Sequence, residues 1–471
     1  MSWNNRALMR NKVLWLFIVS SLLFATLAFS QVLPEVADHS NGTIVGSIEW
    51  AINQLPASGG TINIPKGTYN IMADEIDVNK SNVNLVCQSN NTFFTVSEGF
   101  SGYAMILING ADNFSITGAS LNGENETTNQ FYGICYNSEL TIGKSKFTVR
   151  DCDIRNMTLD GILTNNRGHQ IIEDNYIAWC SRGVHLSSNC NRAKVTNNAI
   201  EHCLGEGVFF CAVIKSADIS HNTLRDNQYG IGGISNNWDG ENRDRDVIVS
   251  SNHFIRNYRY GLGIDYGPVS CIVSNNIFSA VDWIDGGWDA YFGDWRWPIN
   301  SSRRDIVIGT PGKLPVSDLI ISNNRIGNNP INQIVGNHGV INGIRMTNSS
   351  GVIISNNWIG GGAQRSAYDG SVHGIELVDD CEDIEISGGF IQNWLNTGVM
   401  IRDNAGNKRN VIRFVKFRGV PWQTTMGTAQ QKKAIEIEGP NVTDTKIQFC
   451  DFVNQSSMDI DDQGIGTVIV P

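Results

Sequence analysis

Ile172-Glu173-Asp174-Asn175-Tyr176-Ile177, Val195-Thr196-Asn197-Asn198-Ala199-Ile200 and Ile219-Ser220-His221-Asn222-Thr223-Leu224 are three readings of one frame. An aliphatic residue is followed by two small polar residues, Asn, any residue and an apolar one. The frame returns with Asn at 252, 276, 324 and 357, and with Ala119, Cys152, Gly389, Val415 and Cys450 in place of Asn. Asn175, Asn198 and Asn222 stand 23 and 24 residues apart (198 − 175 and 222 − 198). A second strand follows in most repeats and opens with Gly and an aliphatic residue, as in Gly161-Ile162, Gly183-Val184, Gly207-Val208 and Gly230-Ile231. Two or three short strands with tight turns use about that many residues, and the 3.6-residue periodicity of a helical repeat is absent.

The repeats therefore predict an all-β solenoid, a single-stranded parallel β-helix of about 12 to 13 coils. Coils stacked about 4.8 Å apart put each Asn amide beside the next, where the amides can bond along the stack. Unpaired, the same buried groups would be costly. Asn also tolerates left-handed backbone, so it is the residue expected to make each bend.

Composition agrees. The 471 residues include 48 Gly and only 11 Pro, and the net charge is −11. That is a turn-rich β composition, and the acidic balance excludes a nucleic-acid surface. A solenoid also resolves the length, because each repeat contacts only its neighbours.

The N-terminus carries Arg6, Arg10 and Lys12 before an apolar stretch from Val13 to Phe29, with Ala28 and Ser30 placed for a cut before Gln31. This is the pattern of a secretory signal peptide over residues 1–30, with an uncleaved membrane anchor as the alternative. Export to the cell surface or beyond is the expectation, and ten cysteines fit an oxidising compartment.

Residues 31–71 read as a cap. Ile48, Ala51, Ile52 and Leu55 lie on one face of a short helix stopped by Pro56. Gly59-Gly60-Thr61-Ile62-Asn63-Ile64-Pro65-Lys66-Gly67-Thr68-Tyr69 follows as strand, turn and strand. This cap resembles that of pectate-lyase-like right-handed parallel β-helix proteins. The coils over 72–471 resemble the repeat of carbohydrate-binding and sugar-hydrolase proteins of that superfamily. The resemblance implies a polysaccharide partner. The polygalacturonase-like branch is excluded, because its paired Asp, Gly-His-Gly and Arg-Ile-Lys are missing or out of order.

Three features locate possible chemistry. Connections lengthen after Leu121, Phe278, Ile326, Ile359 and Phe417, and loops inserted at one point of successive coils gather on one face. The longest, over 279–304, holds Trp283, Trp288, Trp295 and Trp297 with Asp282, Asp285 and Asp289. Indoles stack on sugar rings, and clustered carboxylates can hold calcium. The residue before each Gly-aliphatic pair forms a column of Asp160, Arg182, Glu206, Tyr229 and Tyr260, continuing at Asn342 and His373. His185, Arg259 and Asp265 lie beside it.

Uronate lyases and C5-epimerases need a Tyr or Lys base, an acid, and a cation or metal for the substrate carboxylate. Tyr260, Arg259, Asp265 and His185 are the candidates for those roles. Asp160, Arg182, Glu206, Tyr229 and the four tryptophans are the candidates for substrate contact. The alternative is a non-catalytic surface solenoid that binds glycans or proteins. Cys180 and Cys203 fall one coil apart, within reach of a disulfide.

Overall fold

The computed structural model describes residues 32–470 except 73, 89–90, 125–127, 138–145, 166–167, 188–189, 212–213, 235–245, 258, 266, 280–302, 328–339, 361–372, 393, 395–396, 404–405, 419–421, 425–426, 430–432 and 454–458. The expected signal segment and the Trp-Asp loop thus lie outside the described residues. No helix among the described residues is long and apolar enough to cross a membrane.

The chain winds into three long parallel sheets. The first has 15 strands, from Gly60–Ile64 to Val468–Val470. The second and third have 14 each, running from Gly67–Ile71 to Asp451–Val453 and from Ile76–Val78 to Ile460–Asp462. Each strand pairs with the equivalent strand one coil away, so 14 full coils stack with one strand over. The count exceeds the expected 12 to 13 because the first two coils, on strands Gly60–Ile64 and Val83–Cys87, precede the first of the twelve frames.

The expected helix runs Ile48–Gln54, with the Ser47 side chain accepting from the Trp50 N–H at its start. It buries Ile48, Ala51 and Ile52 against the first coil. The apolar open end of the stack is thereby covered.

Inside, like stacks on like. Leu85, Ile116, Val149, Ile172, Val195, Ile219, Val249 and Val273 follow one another in register on the first sheet, all buried. Phe254 and Phe278 stack on the second sheet, with ring centroids 4.4 Å apart. Because both neighbours of a coil are coils, every strand can be apolar on its inner face and polar on its outer face.

The asparagine column is a continuous hydrogen-bonded ladder. Asn198 donates its main-chain N–H to Asn222 Oδ1 at 2.9 Å and its Nδ2 to the same oxygen at 3.0 Å. The same two bonds link 175 to 198, 222 to 252, 252 to 276, 276 to 324 and 324 to 357. The remaining amide hydrogen goes to a carbonyl of the coil below, such as Val195 O for Asn222.

One expectation is corrected here. The left-handed residue is not the ladder Asn but its predecessor: Asp174, Asn197, His221, Ser251, Asn275, Asn323 and Asn356 all have φ between 54° and 60°. That residue turns the chain, and the Asn side chain is thereby carried inward, where it is buried and fully bonded.

A second, shorter ladder stands at the bend between the second and third sheets. Cys203 N–H donates to Asn227 Oδ1 at 2.9 Å, and Asn227 N–H to Asn257 Oδ1 at 3.2 Å. Cys180 and Cys203 head this column, and the expected disulfide is not formed, since both are free and buried. Their sulfurs turn to carbonyls of their own strands, Ala178 O at 3.3 Å and Glu201 O at 3.8 Å, instead of to each other.

Candidate functional site

The residue before the Gly-aliphatic pair does form a column along the outer face of the third sheet. Glu206, Tyr229, Tyr260, Arg304, Asn342, His373, Thr397 and Lys433 are consecutive partners in register. Arg182 and Asp160 continue it toward the N-terminus. Glycine at the next position lets the strand close on the aromatic or aliphatic residue of the second sheet: a Cβ on Gly261 would come within 2.6 Å of the Phe278 ring.

Two groups of side chains occupy this face. In the first, His185 Nδ1 lies 2.7 Å from Asp160 Oδ2, and Asp160 is almost fully buried. Burial opposes charge on this imidazole, but its hydrogen bonds and the Asp160 carboxylate outweigh burial and raise its pKa. Arg182 Nε donates to Glu206 Oε2 at 2.9 Å, and its guanidinium rests 4.4 Å over the Phe209 ring. His185 meets the same ring edge-on.

The second group centres on Tyr260. Its ring stacks at a tilt on Tyr229, centroids 4.4 Å apart. It lies over two glycines. A Cβ on Gly263 would stand 2.6 Å from the Tyr260 ring, and one on Gly232 would stand 3.2 Å from its hydroxyl and 2.8 Å from Glu206 Cγ. Gly233, with φ +77°, makes the register shift between Ile231 and Ile234 that opens this cradle.

Burial, and then the Asp265 and Glu206 carboxylates, push the Tyr260 hydroxyl far above its ordinary pKa. Burial, and then Glu206, raise Asp265 to about 6. Tyr260, expected as the base, is therefore held protonated, and Asp265 is the group poised to exchange a proton near neutrality. Arg259, expected to neutralise a substrate carboxylate, donates from Nη1 to the Tyr229 hydroxyl at 2.9 Å.

The four expected catalytic residues do not all converge. Tyr260 and Asp265 share one region, with Arg259 held one step away on Tyr229. His185 stands three coils earlier, about 14 Å at the spacing of stacked coils. Glu206 links the two groups, holding Arg182 on one side and crowding Tyr260 and Asp265 on the other. Trp283, Trp288, Trp295 and Trp297, together with Asp282, Asp285 and Asp289, lie outside the described residues. No cluster of three or more His, Cys, Asp or Glu that could hold a metal ion occurs among the described residues.

Two residues escaped the sequence reading. Arg304 is the register partner of Tyr260, but Asp305 replaces the glycine that marks the column elsewhere. Glu376 lies nearly buried on the outer face, receiving Arg402 Nε at 2.9 Å and Asn342 Nδ2 at 2.7 Å. Its signal was only the alternation of its strand.

Three parallel sheets with an inward-bonded asparagine ladder and a polar outer face define this chain as a right-handed parallel β-helix protein. Residues 69–242 match the family model described as the right handed beta helix region. No curated protein matches the sequence.

Solved structures that resemble it include the A-module of an Azotobacter vinelandii mannuronan C-5 epimerase, with 12% identity and a TM-score of 0.41 over 94% of this chain and 98% of that one. The catalytic unit of an alpha-1,3-glucanase from Streptomyces thermodiastaticus gives 12% identity and a TM-score of 0.38, over 89% and 65%. The N-terminal fragment of gene product 12 of bacteriophage Phi29 gives 11% and 0.44, over 91% of both chains. Identities this low carry no chemistry over to this chain.

Proposed function

We propose that this protein is exported and acts on an acidic polysaccharide, as a lyase or a C5-epimerase, with Tyr260 and Asp265 as the proton-transfer pair. The observation that carries the reading is the cradle itself. A protonated phenol packed over two glycines and a carboxyl with a pKa of about 6 stand at the two ends of one strand, the carboxylate charge acting on the phenol and Glu206 acting on both.

Both reactions start by removing the proton on the carbon next to a sugar carboxylate. Above about pH 6 the Asp265 carboxylate is ionised and accepts that proton. The Tyr260 hydroxyl then gives its proton either to the departing glycosidic oxygen, which completes elimination, or to the opposite face of the carbon, which completes epimerisation. His185, three coils away, and Asp160, four coils away, serve as substrate contacts in this reading.

The test is a panel of uronate polysaccharides, followed by ultraviolet absorbance of unsaturated products and by NMR of the C5 configuration. Turnover that disappears in Tyr260→Phe and Asp265→Asn, with the fold intact by circular dichroism, supports the proposal. Binding without turnover on every polymer would favour the non-catalytic glycan-binding solenoid instead.

A further inference from the structure

We infer that Arg304 is the seat of the substrate's carboxylate, one coil beyond Tyr260. This rests on the reading above that an acidic polysaccharide occupies the third sheet, and it names the group that recognises the acid.

Arg304 is the immediate register partner of Tyr260, so its Cα lies about 4.8 Å further along the column. Its guanidinium is half-buried: burial lowers its pKa, the neighbouring Arg345 charge lowers it further, and the Glu376 carboxylate offsets this only in part. Its Nε has no hydrogen-bond partner among the described residues.

The nearby anions are committed elsewhere. Glu376 receives Arg402 and Asn342 and lies 3.4 Å from Arg345 Nε. Glu438 takes the other arm of Arg402 at 2.9 Å. Asp305 occupies the glycine column, whose Cβ direction leads inward to the second sheet, away from Arg304. Arg304 thus shares the Glu376 charge with Arg345 and Arg402; a half-buried cation so weakly compensated is costly, and a guanidinium fork matches a carboxylate with two parallel hydrogen bonds.

The next two coils continue the row of buried polar atoms. Arg402 Nη2 lies 3.3 Å from His373 Nε2, so that nitrogen accepts and the neutral ring carries its proton on Nδ1. His373 Nδ1 and Asn342 Oδ1 are both buried without a partner. Arg304 Nε, Asn342 Oδ1 and His373 Nδ1 are thus buried polar atoms on three successive coils, each without a partner among the described residues. A carboxylate held on the Arg304 fork supplies the missing acceptor at the first of them.

Calorimetric titration with galacturonate and mannuronate trisaccharides, and with their carboxyl-reduced counterparts, tests the seat. Arg304→Gln is expected to weaken binding of the acidic trisaccharides about 10- to 100-fold and to leave the reduced ones unchanged. Equal affinity of wild type and Arg304→Gln for the acidic forms overturns the seat. The catalytic reading survives that result if Tyr260→Phe still abolishes turnover.

A ligand-free arm keeps the two separable. Arg304→Met removes a half-buried cation whose Nε has no hydrogen-bond partner among the described residues, and should raise the melting temperature. A fall would mean the guanidinium is already paired within the protein, and would overturn the seat whatever the protein does to polymers. Absence of both binding and turnover on all acidic sugars would overturn the seat and the functional reading together.

Discussion

Asn222 sits mid-ladder, and its replacement separates two accounts of why asparagine recurs. The side chain makes four hydrogen bonds. Oδ1 accepts from the Asn198 N–H at 2.9 Å and from Asn198 Nδ2 at 3.0 Å. Nδ2 donates to Val195 O at 2.8 Å and Asn252 Oδ1 at 3.0 Å.

In Asn222→Ala the partners differ in what they lose. Asn198 Nδ2 keeps Ile172 O and Thr196 O, and Asn252 Oδ1 keeps the main-chain N–H of residue 222. The buried Asn198 N–H has no substitute, and the Val195 carbonyl loses its amide. One to two orphaned buried groups, at about 1–3 kcal/mol each, give a loss of about 3 kcal/mol.

Urea unfolding followed by tryptophan fluorescence measures this, with the exposed Lys194→Ala as reference. Asn222→Gly should lose at least as much as alanine. Asn222→Asp should be worst, because a carboxylate cannot donate to Val195 O. The left-handed bend is made by His221, at φ 60°, and not by Asn222. If Asn222→Gly retained full stability within about 0.5 kcal/mol, the conformational account would stand and the ladder reasoning would fail.

Further outcomes follow from the site. Asp265 titrates higher in the fold than in the unfolded chain, so its contribution to stability is present at low pH and lost as pH rises through about 6. Asp265→Asn should therefore raise the melting temperature at pH 8 but not at pH 4, while abolishing the rise of activity through about pH 6. His373 is depressed to about 4, chiefly by burial, so its contribution is present above the unfolded value near 6.5 and lost as pH falls toward 4. His373→Gln should flatten the slope of unfolding free energy against pH by one proton in that window. Cys180 and Cys203 should resist alkylation in the native protein and both be modified in denaturant without reductant; recovery of a linked peptide pair by mass spectrometry would contradict the free thiols.

Much of the outer face was legible from its period. Once the frame positions were aligned, Asp160, Arg182, Glu206, Tyr229 and Tyr260 fell into one column, and the strand register reproduces it. Arg304 was not legible, because the long insertion before it and Asp305 after it erase the Gly-aliphatic mark. The roles within the site were not legible either. Tyr260 is kept protonated by burial and then by two carboxylates, one of them supplied two coils away by Glu206, and Arg259 is spent on the Tyr229 hydroxyl.

By itself the sequence determined the architecture: a stack of short-strand coils, the cap at one end, and the column to which the residues before each Gly-aliphatic pair belong. It could do so because every coil repeats one local pattern and packs only on its neighbours. Tertiary structure alone decided which of the two residues at each bend turns the chain and which bonds inward. It also decided which side chains within a column are already paired. Those outcomes depend on distances between residues of different coils, on burial, and on competition for shared partners such as Glu206 and Glu376, none of which a spacing along the chain can express.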